Sequence, residues 1–478
     1  MTFANLQQKL DSLSTFAALD SYKIKTLGEI LRKMPDKELF RINPLEFAKN
    51  QDWDPKKTIE LFIHGAKVGL FDFDWHQICP ICGSTEFNPD GINELSTSFY
   101  CTLCRKDFAC DLDDRVEISF SINPNVKKIV LDPYQDMSNY FHYYCSTCFQ
   151  PSRGYEKYVD EMLKDFFVLD DDELKTLTLD VKAGELITLV SFDNHSTFLM
   201  PVADTSESTP QTLQLDALPA GFSPGKFEAK PGSITIVIHN RTTKKMGVIL
   251  LYEDTEYHDS TLERDPNKLG PFFSAKMLLN HQSFRELFRI DNLKPDLRLN
   301  LRNLTILFTD LKGSTQLYDE AGDALAYGLV QEHFDILTDV VSRNSGAIIK
   351  TMGDAIMATF SIREDAAQAA LEMIADMEPF NQKITQKGHK LGLKIGLHEG
   401  PVLAVKANDT IDYFGQAVNI SARIQGLAEV GEILVSEILF KEGKVEDIFR
   451  QAGYRMERKT AALKGVQEAV VVCRLTLG

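Results

Sequence analysis

The chain has 478 residues, with hydrophobic and charged shares of 44% and 25%; this is a globular composition, and the length predicts about three domains. Its net charge of −17 argues against general binding to nucleic acid or to an anionic membrane, because both carry negative charge. No apolar run is long enough to span a bilayer, and the first residues lack the pattern of a signal peptide, so we expect a cytoplasmic protein.

Residues 1–76 are predicted to form a helical, winged-helix-like unit. Asp54 is a suitable N-cap and Pro55 a suitable first-turn residue, so a helix should begin there. The alternating stretch GLFDFDW near the end of the unit would add a strand. DNA binding is the other interpretation, but the segment has equal numbers of basic and acidic side chains, which favours a packing or regulatory role.

Residues 77–112 contain two C-x2-C pairs, Cys79 with Cys82 and Cys101 with Cys104. Each pair can direct two sulfur atoms at one ion, and two pairs complete a tetrahedron, which is the spacing of a four-thiolate zinc ribbon. With four protein ligands, no coordination position remains open for a substrate. The spacing therefore predicts one structural Zn2+.

Residues 113–173 are interpreted as a connecting segment that carries a third pair, Cys145 and Cys148, with no partner pair beside it. Cys110 and His142 could complete a second metal site with this pair. The alternative is that these cysteines are free thiols in a packed segment. The spacing leaves both interpretations open.

Residues 174–258 change to a period of two, in short runs separated by Gly, Pro and Asn, which predicts a β-sandwich. The sandwich carries no cluster typical of chemistry, so a regulatory, protein-contact or spacer role stays open. Residues 259–300 include an amphipathic helix that is predicted to link the sandwich to the C-terminal domain.

Residues 301–478 are predicted to have the ferredoxin-like order βαββαβ, which makes the whole chain a multi-domain α+β protein. In this order the first and third strands are antiparallel neighbours, and Asp310 and Asp354 lie where the first ends and the third begins. Two converging carboxylates repel each other unless a cation lies between them. Hard divalent ions such as Mg2+ or Mn2+ suit such oxygen ligands.

The turn LKGST follows the first strand and places Gly313, Ser314 and Thr315 at the beginning of a helix. Backbone N–H groups and the helix dipole at such a turn can hold phosphate oxygens. Metal ions beside phosphates indicate a nucleoside triphosphate and two-metal phosphoryl chemistry. The spacing alone does not distinguish a polymerase, a kinase and a cyclase. The alternative is a purely structural role, in which the two aspartates are exposed and only cap turns.

Three motifs, FTDLKGST, KTMGDAIMATF and TIDYFGQAVNISARIQGL, follow one another along the C-terminal part of the chain. With them, residues 301–478 resemble the catalytic domain of class III nucleotidyl cyclases. The resemblance implies that Asp310 and Asp354 bind two Mg2+ or Mn2+ ions per active site. It also implies that the ribose 3′-hydroxyl attacks the α-phosphorus and that pyrophosphate leaves.

The same resemblance assigns roles to five further side chains. Lys350 and Asp412 would recognise the purine base, Asn419 would orient the ribose, and Arg423 would stabilise the transition state. Lys464, in the looser motif ALKGVQEAV, would hold the triphosphate. A lysine can donate to N1 of adenine while an aspartate accepts from its N6 amine, whereas guanine presents the reverse pattern. The pair therefore favours ATP, and guanylyl members of the family usually carry Glu and Cys there.

The sequence thus predicts an adenylate cyclase that converts ATP to 3′,5′-cyclic AMP, with sites shared across a homodimer because domains of this family pair head to tail. The alternatives are a guanylate cyclase and a nucleotide-sensing binding protein with an inactive cyclase domain. The N-terminal region resembles that of some bacterial cyclases, which carry a helical unit and a zinc ribbon before a β-rich part. That resemblance implies regulation by the N-terminal domains and names no ligand.

Overall fold

The computed structural model describes residues 5–87, 95, 98–109, 112–113, 115–253, 264–288, 299–385, 391–407, 410–441 and 444–477. Across these ranges, no helix is both long enough and apolar enough to cross a bilayer. The α-helices are α1 (Leu6–Leu13), α2 (Ser21–Lys33), α3 (Pro44–Asn50), α4 (Pro55–Lys67), α5 (Met137–Tyr144), α6 (Arg153–Met162), α7 (Ala275–Leu279), α8 (Gln282–Leu287), α9 (Ser314–Ala321), α10 (Asp323–Arg343), α11 (Arg363–Thr385), α12 (Gln416–Gly426) and α13 (Lys444–Gln451).

The strands fall into an N-terminal group, a central group and a C-terminal group. The N-terminal group is β1 (Phe71–Ile78), β2 (Thr85–Phe87), β3 (Ser98–Cys101), β4 (Lys106–Ala109), β5 (Val116–Ile122) and β6 (Phe149–Gln150). The central group is β7 (Leu163–Leu169), β8 (Leu174–Val181), β9 (Leu186–Ser191), β10 (Ser196–Pro201), β11 (Gln211–Leu218), β12 (Gly221–Ser223), β13 (Gly232–Asn240), β14 (Met246–Glu253) and β15 (Lys268–Leu269). The C-terminal group is β16 (Leu299–Lys312), β17 (Gly346–Met352), β18 (Ala355–Phe360), β19 (Gly392–Ala407), β20 (Thr410–Phe414), β21 (Ile433–Ser436), β22 (Tyr454–Ala461) and β23 (Val470–Leu477).

Helices α2, α3 and α4 begin at residues whose side chains cap them. The side chain of Asp54 accepts a hydrogen bond from the Lys57 N–H at 2.9 Å, and Pro55 occupies the first turn of α4, as predicted. Strand β1 follows α4, and β5 pairs with it along its length, although β5 comes after the cysteine pairs in the chain. The unit therefore extends beyond the predicted end at residue 76, because β5 completes its sheet.

Strands β7 to β14 form two four-stranded sheets, in the orders β10-β9-β14-β7 and β12-β11-β13-β8. Alternate side chains of β13, namely Ile234, Ile236 and Ile238, are buried in the core that the two sheets share. This is the sandwich that the period of two predicted. Strand β7 begins at Leu163, inside the predicted connecting segment, so the sandwich starts before the predicted residue 174.

The C-terminal sheet has the order β17-β18-β16-β19-β21-β23-β22, and β20 pairs with β19. Its first four strands, with α10 and α11 between them, have the ferredoxin-like order that the sequence predicted. Strand β16 is antiparallel to β18, with Phe308 opposite Met357, so the end of β16 lies beside the turn that opens β18. Helices α10 and α11 bury one face of this sheet through side chains such as Leu337 and Met373.

The opposite face of the C-terminal sheet shares a hydrophobic core with the N-terminal region. Leu304 and Ile306 of β16 belong to the same buried cluster as Phe62 of α4 and Phe120 of β5. Helices α7 and α8 contribute Leu278 and other side chains to that cluster. Burial of apolar surface therefore joins the two regions directly.

The segment 259–300 differs from the single linking helix that the sequence predicted. Its described part, 264–288, contains the short strand β15 and then the two short helices α7 and α8, which are separated at Asn280 and His281. The Asn280 side chain donates to the Lys276 carbonyl at 2.7 Å and accepts from the Thr359 hydroxyl at 2.5 Å, so it ends α7 and ties it to β18. The described part is therefore packed between the two regions, while the remainder of the segment lies outside the described residues, except for the first residues of β16.

Candidate functional site

Lys350 of β17 and Asp412 of β20 lie side by side. The Lys350 Nζ is 2.8 Å from Asp412 Oδ2 and 3.1 Å from Asp412 Oδ1, although 62 residues separate them in the chain. The lysine side chain is 37% exposed and the aspartate 15%, so the pair faces solvent from one side. The structure therefore places a cationic donor and an anionic acceptor next to each other.

Asp310 and Asp354 lie at neighbouring strand ends, as the antiparallel arrangement predicted. Past the pairing of β16 with β18, the Ile356 N–H donates to the Thr309 hydroxyl at 3.1 Å, and the two aspartates flank this contact in the chain. The Asp310 side chain is 41% exposed, and its Oδ2 lies 4.0 Å from the Lys394 Nζ. Two carboxylates at the ends of neighbouring strands offer the hard oxygen donors that Mg2+ or Mn2+ accepts.

Helix α10 packs against the turn that carries Asp354. Gly353 has a left-handed φ of 66°, which a residue with a side chain rarely adopts. His333 of α10 is buried and lies beside the Asp354 backbone. Burial lowers the pKa of His333 to about 4, so its imidazole is neutral at physiological pH.

The predicted phosphate turn has the expected local form. Gly313 has a left-handed φ of 95°, and α9 begins directly after it at Ser314. Both residues are half-buried. Thr315 lies in the first turn of α9, and its side chain lies outside the described part of the structure. A helix beginning at a glycine turn presents free backbone N–H groups, which suit an anionic ligand.

Asn419 and Arg423 lie one turn apart on α12, and the loop with Lys464 approaches the arginine. A Cβ atom at Gly465 would lie 3.2 Å from a terminal nitrogen of Arg423, a tight contact, and the left-handed φ of 74° at Gly465 also favours glycine. Among the described residues, the side chains of Asn419, Arg423 and Lys464 have no hydrogen-bond or ion-pair partner. Asn419 and Lys464 are exposed and Arg423 is half-buried, so all three can contact a ligand.

Two residues near these groups were not predicted. Lys394 stands opposite Asp310 in the antiparallel pairing of β16 with β19, and that register is the signal that would have identified it. Phe414 is 52% exposed, and its ring centroid lies 5.9 Å from the Lys350 Nζ. An exposed aromatic ring beside a base-recognition pair offers a surface for stacking.

Cys79, Cys82, Cys101 and Cys104 converge as the spacing predicted, with all four sulfur atoms within 4.8 Å of one another. The Sγ atoms of Cys82 and Cys101 are 3.4 Å apart, and those of Cys79 and Cys104 are 3.8 Å apart. A tetrahedral ion with Zn–S bonds of about 2.3 Å would place its sulfurs about 3.8 Å apart, so the group fits zinc.

The protonation of the four thiols is interdependent. Burial raises the pKa of Cys82, whereas hydrogen bonds from Cys104 and Cys79 lower that of Cys101. One thiolate can therefore be stabilised by its neighbours, but ionisation of all four in this buried place requires a cation. The chemistry of the donor set thus agrees with the sulfur spacing, and both fit a closed metal site.

Cys145 and Cys148 are free thiols outside this set. Burial raises the pKa of both to about 12, so both remain protonated at physiological pH. The Asn43 amide donates to the Cys148 sulfur at 3.1 Å, and His142 lies 3.4 Å from the Lys37 carbonyl. These contacts are those of packed side chains, while Cys110 lies outside the described residues.

Two family models match the chain. Residues 4–286 match a family of unknown function (DUF5939), and residues 299–472 match the adenylate and guanylate cyclase catalytic domain. The chain belongs to the DUF5939 family. Its C-terminal part is an adenylate and guanylate cyclase catalytic domain, as the motifs predicted. Cyclase domains bind a nucleotide substrate, generally use divalent metal ions and often dimerise.

Similar proteins are found among curated and structurally solved cyclases. An adenylate cyclase of Anabaena cylindrica is 29% identical over 184 residues, which are 36% of each chain. An adenylate cyclase of Lachancea kluyveri is 27% identical over 203 residues, 38% of this DUF5939 protein and 11% of the relative. The crystal structure of the adenylyl cyclase CyaB from P. aeruginosa is 22% identical with a TM-score of 0.34, over 38% of this chain and 97% of that one.

The guanylyl cyclase Cya2 gives similar values, with 24% identity and a TM-score of 0.34 over 38% of this chain and 95% of that one. The DUF5939 protein therefore spans about a third, or less, of the length of these curated relatives.

Proposed function

We propose that this DUF5939 protein is an adenylate cyclase, which converts ATP to 3′,5′-cyclic AMP and pyrophosphate. The proposal is carried by the 2.8 Å pair of Lys350 Nζ and Asp412 Oδ2, which presents one donor beside one acceptor. Adenine has an acceptor at N1 and donors on its N6 amine, which match the pair. Guanine has N1–H and a carbonyl at position 6, so each group would meet a like partner, and buried polar groups would stay unpaired.

The remaining groups have roles in holding the triphosphate. Asp310 and Asp354 would bind the divalent ions, which when bound activate the 3′-hydroxyl and neutralise charge at phosphorus. The N–H groups after Gly313 would orient phosphate oxygens, and the exposed Lys464 would add a positive charge. Arg423 holds a guanidinium where negative charge grows in the transition state, and its lack of an acidic partner within the described residues leaves that charge available.

The site is proposed to be shared between two copies of the chain in a homodimer. Met352 and Phe414 are 42% and 52% exposed, and they lie near the metal-binding aspartate and the base-reading aspartate. Exposed apolar side chains around a polar site are typical of a surface that another protein covers. A two-fold axis would then combine the aspartates of one copy with Lys350 and Arg423 of the other, giving two equivalent sites.

The test is to incubate the purified protein with ATP or GTP and Mn2+ or Mg2+, and to separate the products by chromatography. Cyclic AMP from ATP, with much less cyclic GMP from GTP, is expected. Asp310→Asn should abolish the product, whereas Asp339→Asn, on the exposed surface of α10, should not. Predominant cyclic GMP would contradict the substrate assignment, and nucleotide binding without any cyclic product would instead support a nucleotide sensor.

A further inference from the structure

Helix α8 contacts both strands that carry the proposed base-reading pair. The Ile348 N–H of β17, two residues before Lys350, donates to the Gln282 Oε1 at 2.8 Å. The Arg285 Nη2 donates to the Ile411 carbonyl of β20, next to Asp412, at 2.6 Å. Residues at i and i+3 lie on one face of a helix, so a single helix face holds the two strands.

Both strands need such support at these points. The pairing of β17 with β18 shifts register between Ile348 and Lys350, so the ladder is irregular just before the lysine. Strand β20 is bonded to β19 and to no other described strand. The contacts of Gln282 and Arg285 therefore add a second constraint at an irregular point and at a strand with a single neighbour.

Arg285 also lies close to the acidic member of the pair. Burial lowers the pKa of Arg285, while the neighbouring Tyr413 and Asp412 act in the opposite direction. The Arg285 guanidinium thus restrains the backbone of β20 through the Ile411 carbonyl, and its positive charge acts on the neighbouring Asp412 carboxylate.

Helix α8 is in turn held by the N-terminal region. The Lys67 Nζ donates to the Leu287 carbonyl, and the Ser283 hydroxyl donates to Glu60 Oε1 at 3.2 Å. Both Lys67 and Glu60 belong to α4, and the DUF5939 match extends to residue 286 and so covers almost all of α8. The N-terminal region thus reaches the proposed base site through this one helix.

We propose that Gln282 and Arg285 are positioning residues that set the separation of Lys350 and Asp412, and that the N-terminal region controls base recognition through α8. The inference rests on the proposed function, since it assigns regulation to the same site. A movement of α8 along its axis shifts β17 and β20 together, whereas a loss of either contact changes the distance between donor and acceptor. A loss of either contact should therefore weaken binding of the adenine base more than it slows the reaction at phosphorus.

The test uses the full chain with Arg285→Ala, Arg285→Lys, Gln282→Ala and Gln282→Glu. Two readouts are measured, the kcat and KM for ATP, and the dissociation constants of 3′-deoxy-ATP and 3′-deoxy-GTP, which lack the attacking hydroxyl. Arg285→Ala is expected to raise the KM and the 3′-deoxy-ATP dissociation constant about tenfold while kcat changes less than about threefold. The preference for adenine over guanine should fall by a similar factor.

The conservative variants separate positioning from mere folding. Arg285→Lys keeps a donor and Gln282→Glu keeps an acceptor, so both should recover most of the adenine preference. Gln282→Ala changes one half-buried side chain and gives a second test if Arg285→Ala does not fold. Arg450→Ala is the matched control, because this arginine pairs with Asp447 and Glu446 of its own helix.

The outcomes distinguish this inference from the proposed function. An unchanged adenine preference in folded Arg285→Ala and Gln282→Ala overturns the inference, even if the protein makes cyclic AMP. Loss of kcat with unchanged KM and binding also overturns it, because such a loss points to a structural defect. A wild-type protein that binds 3′-deoxy-ATP selectively but makes no cyclic AMP overturns the cyclase proposal. In that case the dissociation constants of the Gln282 and Arg285 variants still test the positioning role.

Discussion

Polar groups are used in opposite ways in the N-terminal region and in the cyclase domain. In the N-terminal region the half-buried Asp193 is satisfied internally, because its carboxylate accepts from the hydroxyls of Tyr134, Tyr140 and Tyr144 at 2.5–2.9 Å. The cyclase domain leaves Arg423 and other site residues accessible and without partners among the described residues. A paired, buried group stabilises the fold, whereas an accessible, unpaired group is available to a ligand.

The four-cysteine cluster and the proposed nucleotide site show the same difference. The cluster is complete within one chain, since all its sulfur atoms lie within 4.8 Å of one another. The nucleotide site is built from residues on separate strands and helices, and the proposed assembly completes it only with a second chain. A closed site should therefore respond to single changes within one chain, and a shared site should respond to mixing of chains.

The largest expected effect comes from mixing two inactive variants. Asp354→Ala removes a proposed metal ligand and Arg423→Ala removes the proposed transition-state cation, and each alone should lower activity at least about a hundredfold. In a mixed dimer, one site carries both changes and the other carries neither. Random pairing should then restore activity to about a quarter of the wild-type level, measured as cyclic AMP formed after subunit exchange.

The control for mixing is a double variant that carries Asp354→Ala and Arg423→Ala in the same chain. Neither site of its mixed dimer with wild type is intact, so random exchange with an equal amount of wild type should lower activity from the half expected by dilution to about a quarter of the wild-type level. If the two single variants demonstrably exchange subunits and still show no activity, the shared site is contradicted.

The closed site should respond to a single change. Cys101→Ser removes one of four proposed zinc ligands, so we expect loss of bound zinc and proteolytic cleavage near residues 77–112, since metal binding contributes folding free energy. Elemental analysis and limited proteolysis measure the two effects. Cys145→Ser is the matched control, because this half-buried cysteine lies outside the ligand set and its replacement should leave the zinc content unchanged. Wild-type protein prepared without chelators and found free of zinc would contradict the assignment.

A smaller effect is expected at the base-reading pair. Lys350→Glu with Asp412→Cys places an acceptor and a weak donor where the donor and acceptor stood, a pattern that suits guanine. The ratio of cyclic GMP to cyclic AMP formed from equal substrate concentrations should rise at least about tenfold. An unchanged ratio in a folded double variant would refute base recognition by these residues. Lys383→Glu, an exposed ion-paired lysine of the same domain, serves as the control.

The sequence predicted the parts of the molecule that local pattern determines. Cysteine spacing predicted the cluster of four sulfurs, and the period of two predicted the sandwich, because each pattern follows from the geometry of one element. The pairing of Lys350 with Asp412 could be predicted only through a family resemblance, since 62 residues separate the two. The burial of α7 and α8 in a core common to both regions was missed, because an amphipathic pattern shows that a face is buried and not what buries it.

The smallest expected effect concerns stability in the N-terminal region, where Asp74 is buried and accepts from the Ser121 hydroxyl at 2.5 Å. Burial raises the pKa of Asp74 from 3.8 to about 6, so the folded chain holds a proton that the unfolded chain releases between these values. Stability should therefore fall as the pH rises through this window, and Asp74→Asn should remove the loss. Its advantage over wild type should grow from pH 4 to pH 6 and reach on the order of 1–3 kcal/mol, measured by unfolding across this range. Asp72→Asn is the control, because Asp72 is exposed on the same strand. A stability advantage of Asp74→Asn that does not change with pH would contradict the raised pKa of the buried Asp74 carboxyl.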